Sequence, residues 1–297
     1  MDWFQRMNRA LDYIESRLDS VIDNREAAQL ALCSVYYFQK MFSILMDIPL
    51  AEYIRRRRLT LAAFDIQHSQ TKIIDIALKY GYDSPEAFAR AFHVLHGVTP
   101  TSARGEGVSL KAYPRLSFQI SIRGAVAMDY RIINKSLFSV YGIDRKFTVE
   151  QEEQFAAIPQ FWLECMRDGR LEALSRSAHA DPEKEHVRSP VHGISWNSKS
   201  DPDNTCRYML FNFVNQECQS DGYTLLDVPA ATWAVFQTKE HTQEETSSVI
   251  QELNKRLYSE WLPTASYRKI DGYELELYYG EGAHCHCELW IRVEPIS

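Results

Sequence analysis

The stretch from Thr71 to Arg104 limits the fold of this chain more than any other part of its sequence. Apolar residues recur there at three- and four-residue spacing, which marks one face of a helix that ends at Gly81. Ser84 and Pro85 suit the N-cap and the first position of a second helix, which ends at Gly97. Two short helices separated by a glycine turn describe a helix-turn-helix motif.

A less distinct copy of the same pattern precedes it. Small and apolar residues from Ala27 to Ala31 predict a first helix, and a second helix follows with Ser34 as its N-cap. The segment from about Leu50 to His68, between the two copies, predicts one long helix. Such a helix can hold two DNA-recognition helices, which we call the reading helices, on one face of DNA. They would lie in successive major grooves roughly 34 Å apart.

From Leu110 onward the pattern changes to period-two alternation, which is typical of strands. The predicted strands are 116–122, 135–142, 192–196, 207–214, 231–238, 273–279 and 287–294, and the predicted helices are 149–167 and 243–261. The order strand, helix, strand, strand occurs twice. It predicts two β-α-β-β units in one antiparallel sheet, with both helices on one face and a groove along the pseudo-twofold axis, where small molecules commonly bind.

The expected fold is therefore multidomain. Residues 1–108 form an all-α domain with two helix-turn-helix units joined by a long helix, and residues 109–297 form an α+β domain. Two glycines between Arg104 and Ser109 mark the candidate linker. A chain of 297 residues also exceeds the usual size of one domain.

Charge and composition permit DNA binding. The net charge is −7, but residues 1–108 carry 13 basic and 13 acidic residues, which leaves 20 and 27 for residues 109–297. No apolar run approaches the roughly 20 residues that span a bilayer, and the N-terminus lacks a signal-peptide pattern, so we expect a cytoplasmic protein with no membrane partner. The six scattered cysteines fit reduced thiols in this compartment.

Around thirty residues of the second helix-turn-helix unit resemble the DNA-binding domain of the AraC/XylS family. The residues that carry the resemblance are Asp75, Ile76, Ala77, Gly81, Tyr82, Phe88, Arg90, Phe92, Gly97, Thr99, Pro100 and Arg104. The first unit also fits, through residues 38–42 and 49–55. The resemblance implies that double-stranded DNA is a partner of this chain.

The resemblance also implies which side chains contact bases. They are Tyr36, Gln39 and Lys40 in the first unit, and Pro85, Glu86, Ala89 and Arg90 in the second. Arg and Lys can donate to guanine, Gln can pair with adenine, and Glu can accept from cytosine. The alternative is that Lys40 and Arg90 are solvated surface charges, and that Glu86 only complements the helix dipole.

The run Arg55 to Arg58 cannot point to one side of a helix. We expect one or two of these arginines to contact phosphate or to pair with acids such as Glu52 and Asp65, and the others to be structural.

The second half, from Tyr113 to Pro295, resembles the GyrI-like effector-binding domain. The residues that carry the resemblance are 141–143, 158–162, 261–263, 273–276 and 288–291. It implies a small-molecule effector, lipophilic or cationic, met by Glu288 in the last strand. Aromatic rings would surround it, with Trp162, Trp196, Tyr208 and Tyr278 as the candidates.

Alternatives remain open for these residues. Glu288 can instead pair with Arg292 or another basic residue, and the aromatic rings can be plain core. Arg292 stands where the family usually has proline, which weakens the inference of a cationic effector.

The run His284-Cys285-His286-Cys287 suggests a metal site. In a strand its cysteines and histidines point to opposite faces, so four ligands could not converge on one zinc. We expect small buried thiols there, no metal and no cofactor.

The leading hypothesis is a transcriptional regulator. The resemblance favours activation over repression, because members of the family more often activate. RNA polymerase is then a candidate partner. One alternative is a GyrI-like hydrolase that uses a groove acid such as Glu288 as general base. Another is a groove that binds a protein. The sequence shows no nucleophile elbow or phosphate loop, so we expect no enzymatic activity.

Overall fold

The computed structural model describes residues 3–118, 127–149, 154–178, 190–197 and 205–296. The chain divides into two compact units, Met1–Gln119 and Ile120–Ser297. None of the helices in these ranges is both long enough and apolar enough to cross a membrane.

The described part of the first unit is helical. Its α-helices are α1 (Trp3–Glu15), α2 (Asn24–Leu30), α3 (Val35–Met46), α4 (Leu50–His68), α5 (Ile73–Lys79) and α6 (Pro85–His96), followed by a 3-10 turn at Ser102–Arg104. The prediction of two helix-turn-helix units joined by a long helix is confirmed, with α2–α3 and α5–α6 as the units and α4 between them.

Both predicted N-caps are present. Ser34 Oγ accepts a hydrogen bond from the Tyr37 amide at 3.3 Å, and Ser84 Oγ accepts one from the Ala87 amide at 3.1 Å. These bonds satisfy amide groups that the first turn of a helix leaves unpaired. They fix where α3 and α6 begin.

The second helix-turn-helix unit has a continuous apolar core. Side chains of α4, α5 and α6 pack together, and the core consists of Leu59, Ala62, Ala63, Ile66, Ile76, Ala77, Tyr80, Phe88, Phe92, Leu95 and Ala103. Burial of these side chains holds α6 against α4, because each large apolar side chain removed from water contributes about 1.5–3 kcal/mol.

Residues 108–118, which we call the strap, follow the last turn without regular secondary structure. Hydrogen bonds tie the strap to the helices, for example from Gln67 Nε2 to the Val108 carbonyl at 3.1 Å. Residues 116–118 of the predicted strand 116–122 are not in a strand, and residues 119–122 lie outside the described residues.

The second unit contains an eight-stranded sheet. Its strands are β1 (Tyr130–Lys135), β2 (Phe138–Thr148), β3 (His192–Trp196), β4 (Thr205–Phe213), β5 (Thr224–Val228), β6 (Ala231–Gln237), β7 (Tyr267–Tyr279) and β8 (His286–Pro295). They pair antiparallel in the order β1-β6-β8-β7-β3-β4-β2-β5. Exchange of β1–β4 for β5–β8 reverses this order, so a pseudo-twofold axis passes between β3 and β7.

The predicted α+β fold with one antiparallel sheet is confirmed, and each half carries one further strand ahead of the predicted unit. These two strands, β1 and β5, are the edges of the sheet. Edge strands face water, and β1 and β5 are short and largely exposed, so their alternation is weak.

The sheet curls strongly. Only two residues join β1 to β2, and two join β5 to β6, although six strand spacings separate the members of each pair. A flat sheet would place them about 29 Å apart, whereas such a link reaches about 11 Å. The rings of Phe138 and Trp233, from the two ends of the sheet, accordingly lie 6.4 Å apart.

The two faces of the sheet therefore differ. The concave face encloses an apolar core of Val140, Ile194, Trp196, Met209, Phe211, Val228, Trp233, Val235, Leu275, Leu277 and Trp290. The unit also contains three helices, α7 (Gln154–Arg167), α8 (Arg170–Arg176) and α9 (Thr246–Arg256), and a π-helical turn at Leu257–Trp261. Contacts such as Phe147 with Phe161 and Phe236 with Trp261 place α7 and the π-helical turn on the opposite face, which we call the helix face.

Candidate DNA-binding and effector sites

Helix α6 presents to solvent the face with the predicted base-contacting residues, which we call its reading face. Glu86 and Arg90 are exposed, and Pro85 and Ala89 are half-buried beside them. The opposite face of α6 is buried in the apolar core of the second helix-turn-helix unit. Arg90 makes no hydrogen bond or ion pair with any described residue, so its guanidinium is free to donate to a base edge.

Two residues outside the predicted base-contacting set extend this face. His93 is exposed and Val94 is 75 % exposed, and they lie three and four positions beyond Arg90. Residues at this spacing share one side of a helix. Helical spacing from Arg90 could have identified them, and a valine methyl can contact the methyl group of thymine.

Helix α3 differs from α6 in exposure. Tyr36, Gln39 and Lys40 lie on one strip of the helix, but they are only 8 %, 1 % and 9 % exposed. All residues from Val35 to Phe42 are buried, so this part of α3 is covered on every side. In this conformation the predicted base-contacting residues are accessible on α6 and buried on α3.

The arginine run is engaged within the first unit. Arg55 donates to Glu52 through Nε at 2.7 Å and Nη2 at 2.9 Å, and Arg56 also pairs with Glu52. The expected pairing with Glu52 is therefore present. Asp65 instead accepts from Lys79 and Tyr80, at 2.8 and 2.9 Å.

The next two arginines hold other parts of the unit together. Arg57 forms an ion pair with Glu15 of α1 at 2.8 Å. Arg58 donates to the carbonyls of Leu18 and Ser20 at 2.9 and 2.7 Å. A run that suggests phosphate contacts thus has identified partners within the protein at every position.

On the helix face of the sheet, three of the predicted aromatic residues come together. Trp162 of α7 donates from Nε1 to the hydroxyl of Tyr208 at 3.0 Å. The same indole packs edge-on against Tyr278, with ring centroids 5.6 Å apart. These rings lie beside β3 and β7, where the pseudo-twofold axis crosses the sheet.

Glu276 supplies a carboxylate to this cluster. Side chains two positions apart share a face of a strand, and Tyr278 donates its hydroxyl hydrogen to Glu276 Oε2 at 2.9 Å. Burial and the nearby carboxylate raise the pKa of Tyr278 well above its usual value, so the phenol stays protonated. We call Trp162, Tyr208, Tyr278 and Glu276 the groove cluster.

Gly193 makes the groove cluster possible. It pairs with Glu276 across β3 and β7. A Cβ atom at Gly193 would lie 2.1 Å from the hydroxyl oxygen of Tyr208. The absence of a side chain therefore lets the Tyr208 hydroxyl approach the central strands.

The other two residues of the predicted effector set lie on the concave face. Trp196 belongs to the apolar core there. Glu288 accepts from Arg131 Nη2 at 2.7 Å and from Trp290 Nε1 at 2.9 Å. The structure thus separates Glu288 and Trp196 from the groove cluster, and the carboxylate of Glu288 has an intramolecular cation.

Period two links Glu276 to Tyr278 in the sequence, so the carboxylate of the groove cluster could have been found there. Glu288 pairs with a basic residue, as the alternative interpretation stated. The partner is Arg131 and not Arg292. The Arg292 guanidinium lies over the ring of Tyr273 instead, 5.9 Å from its centroid.

The cysteines of the His-Cys-His-Cys run are buried free thiols. Cys287 lies 3.7 Å from His241 Nε2, and burial raises the pKa of its thiol to about 12. Within the described ranges no three His, Cys, Asp or Glu side chains are placed to hold a metal ion.

Comparison with known families gives two matches along the chain. Residues 128–294 match the model of the GyrI-like small molecule binding domain. Residues 27–106 match a helix-turn-helix domain model. The two matches coincide with the curled sheet unit and with the two helix-turn-helix units.

Individual proteins are similar over one unit or both. The HTH-type transcriptional activator AarP of Providencia stuartii is 36 % identical over 98 residues, which cover 33 % of this chain and 73 % of AarP. The regulatory protein SoxS of Salmonella typhimurium is 33 % identical over 100 residues, 34 % of this chain and 94 % of SoxS. The right origin-binding protein of Escherichia coli is 25 % identical over 300 residues, 95 % of this chain and 96 % of that protein.

Proposed function

This chain belongs to the GyrI-like small molecule binding family and carries an AraC-type DNA-binding domain, and from this premise we propose that it activates transcription when a lipophilic cation binds its groove cluster. It is a DNA-binding regulator controlled by a small molecule. The class of effector, the residues that bind it and the direction of control are the proposal.

The observation that carries the proposal is the position of Glu276 among aromatic rings. A carboxylate in partly apolar surroundings is stabilised when a cation meets it. The faces of Trp162 and Tyr278 attract cations further, by about 0.5–2 kcal/mol each. Glu288 has Arg131 as its counter-ion, so Glu276 replaces it in the proposed site.

For DNA we propose that α6 enters the major groove with Glu86 and Arg90 toward the bases, and with Pro85 and Ala89 allowing close approach. His93 and Val94 extend this contact. Tyr36, Gln39 and Lys40 are the proposed readers of α3, and their burial means that α3 must become accessible before it reads DNA. This requirement supplies a step that an effector can control.

Activation requires contact with the transcription machinery, so RNA polymerase is the proposed protein partner. The description of AarP as a transcriptional activator supports this direction of control. The proposed place of action is the cytoplasm, with promoter DNA and polymerase. We propose no catalytic role for the groove cluster.

A matched pair of ligands and a matched pair of variants test the effector site. N-methylacridinium carries a fixed positive charge, and acridine at pH 8 is a neutral ring system of similar shape. We expect the full chain to prefer the cation, and Glu276→Gln to weaken its binding by about tenfold, equal to 1.4 kcal/mol, with little effect on acridine.

Glu288→Gln is the control, because its carboxylate lies on the concave face. It should leave the affinity for N-methylacridinium within about twofold. Loss of binding in Glu288→Gln with no loss in Glu276→Gln would contradict the proposed site. Conversion of ligand to product would contradict the absence of catalysis.

A further inference from the structure

A buried ion pair joins α1 to α4. Glu15 and Arg57 have only 9 % and 11 % of their side chains exposed. Arg57 Nε and Nη2 donate to the two carboxylate oxygens at 2.9 and 2.8 Å, and the Tyr53 hydroxyl donates to Oε1 at 2.6 Å. Burial opposes ionisation of Glu15, but these hydrogen bonds and the charge of Arg57 outweigh it, so the pKa of Glu15 is lowered.

The same residues bind the strap. Arg57 Nη1 donates to the Tyr113 carbonyl at 2.6 Å, and the Tyr53 hydroxyl accepts from the Leu116 amide at 3.2 Å. The strap thereby completes the hydrogen bonding of the buried pair. A buried ion pair is stable only when its remaining donors and acceptors are satisfied, so the pair and the strap depend on each other.

The strap runs from the second helix-turn-helix unit to the first. Leu110 and Tyr113 pack against the core of the second unit. At the other end, the ring of Phe118 contacts Trp3 of α1 and Phe42 of α3, with centroids 6.1 and 6.2 Å apart. Asn8 donates to and accepts from the Phe118 backbone, both at 2.8 Å.

Arg58 adds a second connection between the two helix-turn-helix units. Its guanidinium holds the backbone that follows α1, at Leu18 and Ser20. It also lies against the turn between α5 and α6, since a Cβ atom at Gly81 would be 2.7 Å from Arg58 Nη1. The distance between α3 and α6 thus depends on contacts that α4 makes with α1, the strap and this turn.

We propose that Glu15, Tyr53 and Arg57 form a latch that holds the strap on α4 and thereby fixes the spacing of the two reading helices. The inference rests on the proposed DNA-reading function. The strap leads in sequence toward the effector unit, which begins at Ile120, so release of the strap is a step by which that unit can change DNA reading. The latch residues act through the position of α3 and α6, without contact to DNA.

The test uses the full chain with N-methylacridinium, the condition in which α3 is proposed to become accessible, and DNA sites that the wild-type chain selects from a random library under that condition. Binding is measured to the selected site, to sites with one or two base pairs inserted between the half-sites, and to the half-site read by α6. We expect Glu15→Ala to lose about tenfold or more in affinity for the selected site and to bind all spacings alike. Affinity for the half-site should stay within about twofold.

Two further variants keep the test decisive. Tyr53→Phe retains the ring and removes only the hydroxyl, so it should fold and lose part of the spacing preference. Arg115→Ala breaks the exposed pair with Asp12, a strap contact outside the latch, and should behave like wild type. Hydrogen exchange of the Tyr113 and Leu116 amides should become faster in Tyr53→Phe and stay unchanged in Arg115→Ala.

Retention of the full spacing preference in Glu15→Ala and Tyr53→Phe would overturn the latch. So would a parallel loss for the half-site, which would indicate a merely structural role. Unchanged exchange of the strap amides in Tyr53→Phe would overturn it without reference to DNA. A wild-type chain with no sequence preference would instead overturn the proposed function.

Discussion

The two helix-turn-helix units follow one plan with different residues at the breaks. Phe38 and Phe88 occupy the same place relative to the serine N-caps, and both are fully buried. In the second unit Gly81 follows the cap of α5 with a φ of 79°. In the first unit Leu32 follows the cap of α2 with a φ of 57°. The apolar spacing and the caps therefore specify the motif, and glycine only lowers the strain of its turn.

The units also differ in what they offer to DNA. The reading face of α6 is open, whereas the strip of α3 with Gln39 and Lys40 is buried. Two helices of one design thus stand in two states of accessibility. A regulator can use this difference, because exposure of α3 would add a second major-groove contact to the one that α6 makes.

The largest expected effect tests whether the two cores are equivalent. Phe38→Ala and Phe88→Ala should each lower the local stability of their unit by about 3–5 kcal/mol, because each removes a fully buried ring. Hydrogen exchange of the amides of α3 and α6 in the full chain measures this loss. Val94→Ala, at an exposed position, is the control and should change it by less than about 0.5 kcal/mol. A large loss in one unit only would show that the cores differ.

A smaller effect of opposite sign in the two units tests the turns. Gly81→Ala should destabilise the second unit by about 1–2 kcal/mol, because a Cβ atom is disfavoured at a left-handed φ. Leu32→Gly should stabilise the first unit by about 0.5–1 kcal/mol, since it removes the same strain and loses only an exposed side chain. Exchange rates of α2 and α5 report both changes. Destabilisation by Leu32→Gly would contradict this account of the turn.

The smallest expected effect depends on pH. His96 at the end of α6 is buried, and its counterpart in α3 is Met46. Burial lowers the pKa of His96 below its usual 6.5, and a hydrogen bond to the Leu59 carbonyl at 3.2 Å only partly offsets this. The folded unit therefore resists protonation, and its stability should fall as the pH falls below about 6.5, by at most 1.4 kcal/mol per pH unit.

Hydrogen exchange of α6 between pH 7 and pH 5, corrected for the intrinsic rate, measures this loss. His96→Met should remove the dependence. The same slope in His96→Met as in the wild-type chain would assign the dependence to other groups.

Much of the fold follows from local sequence. Ser34, Ser84 and Gly97 set the ends of their helices through backbone groups only a few residues away in sequence. The helical unit could therefore be predicted. The edge strands β1 and β5 could not, because pairing with a distant strand stabilises them more than their own alternation does.

The site was harder to predict than the fold. Period two shows that Glu276 shares a face with Tyr278, but only the strand order and register place the helices over that face and Glu288 on the other. The arginine run illustrates the same limit. Arg57 and Arg58 find their partners about 40 residues away in sequence, at Glu15 and Leu18, and local spacing cannot indicate such contacts.

Footprinting of the full chain on its selected DNA, with N-methylacridinium bound so that α3 can become accessible, tests the central claim most directly. Hydroxyl-radical cleavage should show two protected segments in successive major grooves, about 34 Å apart. Arg90→Ala should remove protection in one segment and Lys40→Ala in the other, whereas Arg176→Ala in the sheet unit should change neither. Uniform protection without sequence preference, or one segment that neither Arg90→Ala nor Lys40→Ala alters, would contradict the claim that this chain reads DNA with two helices.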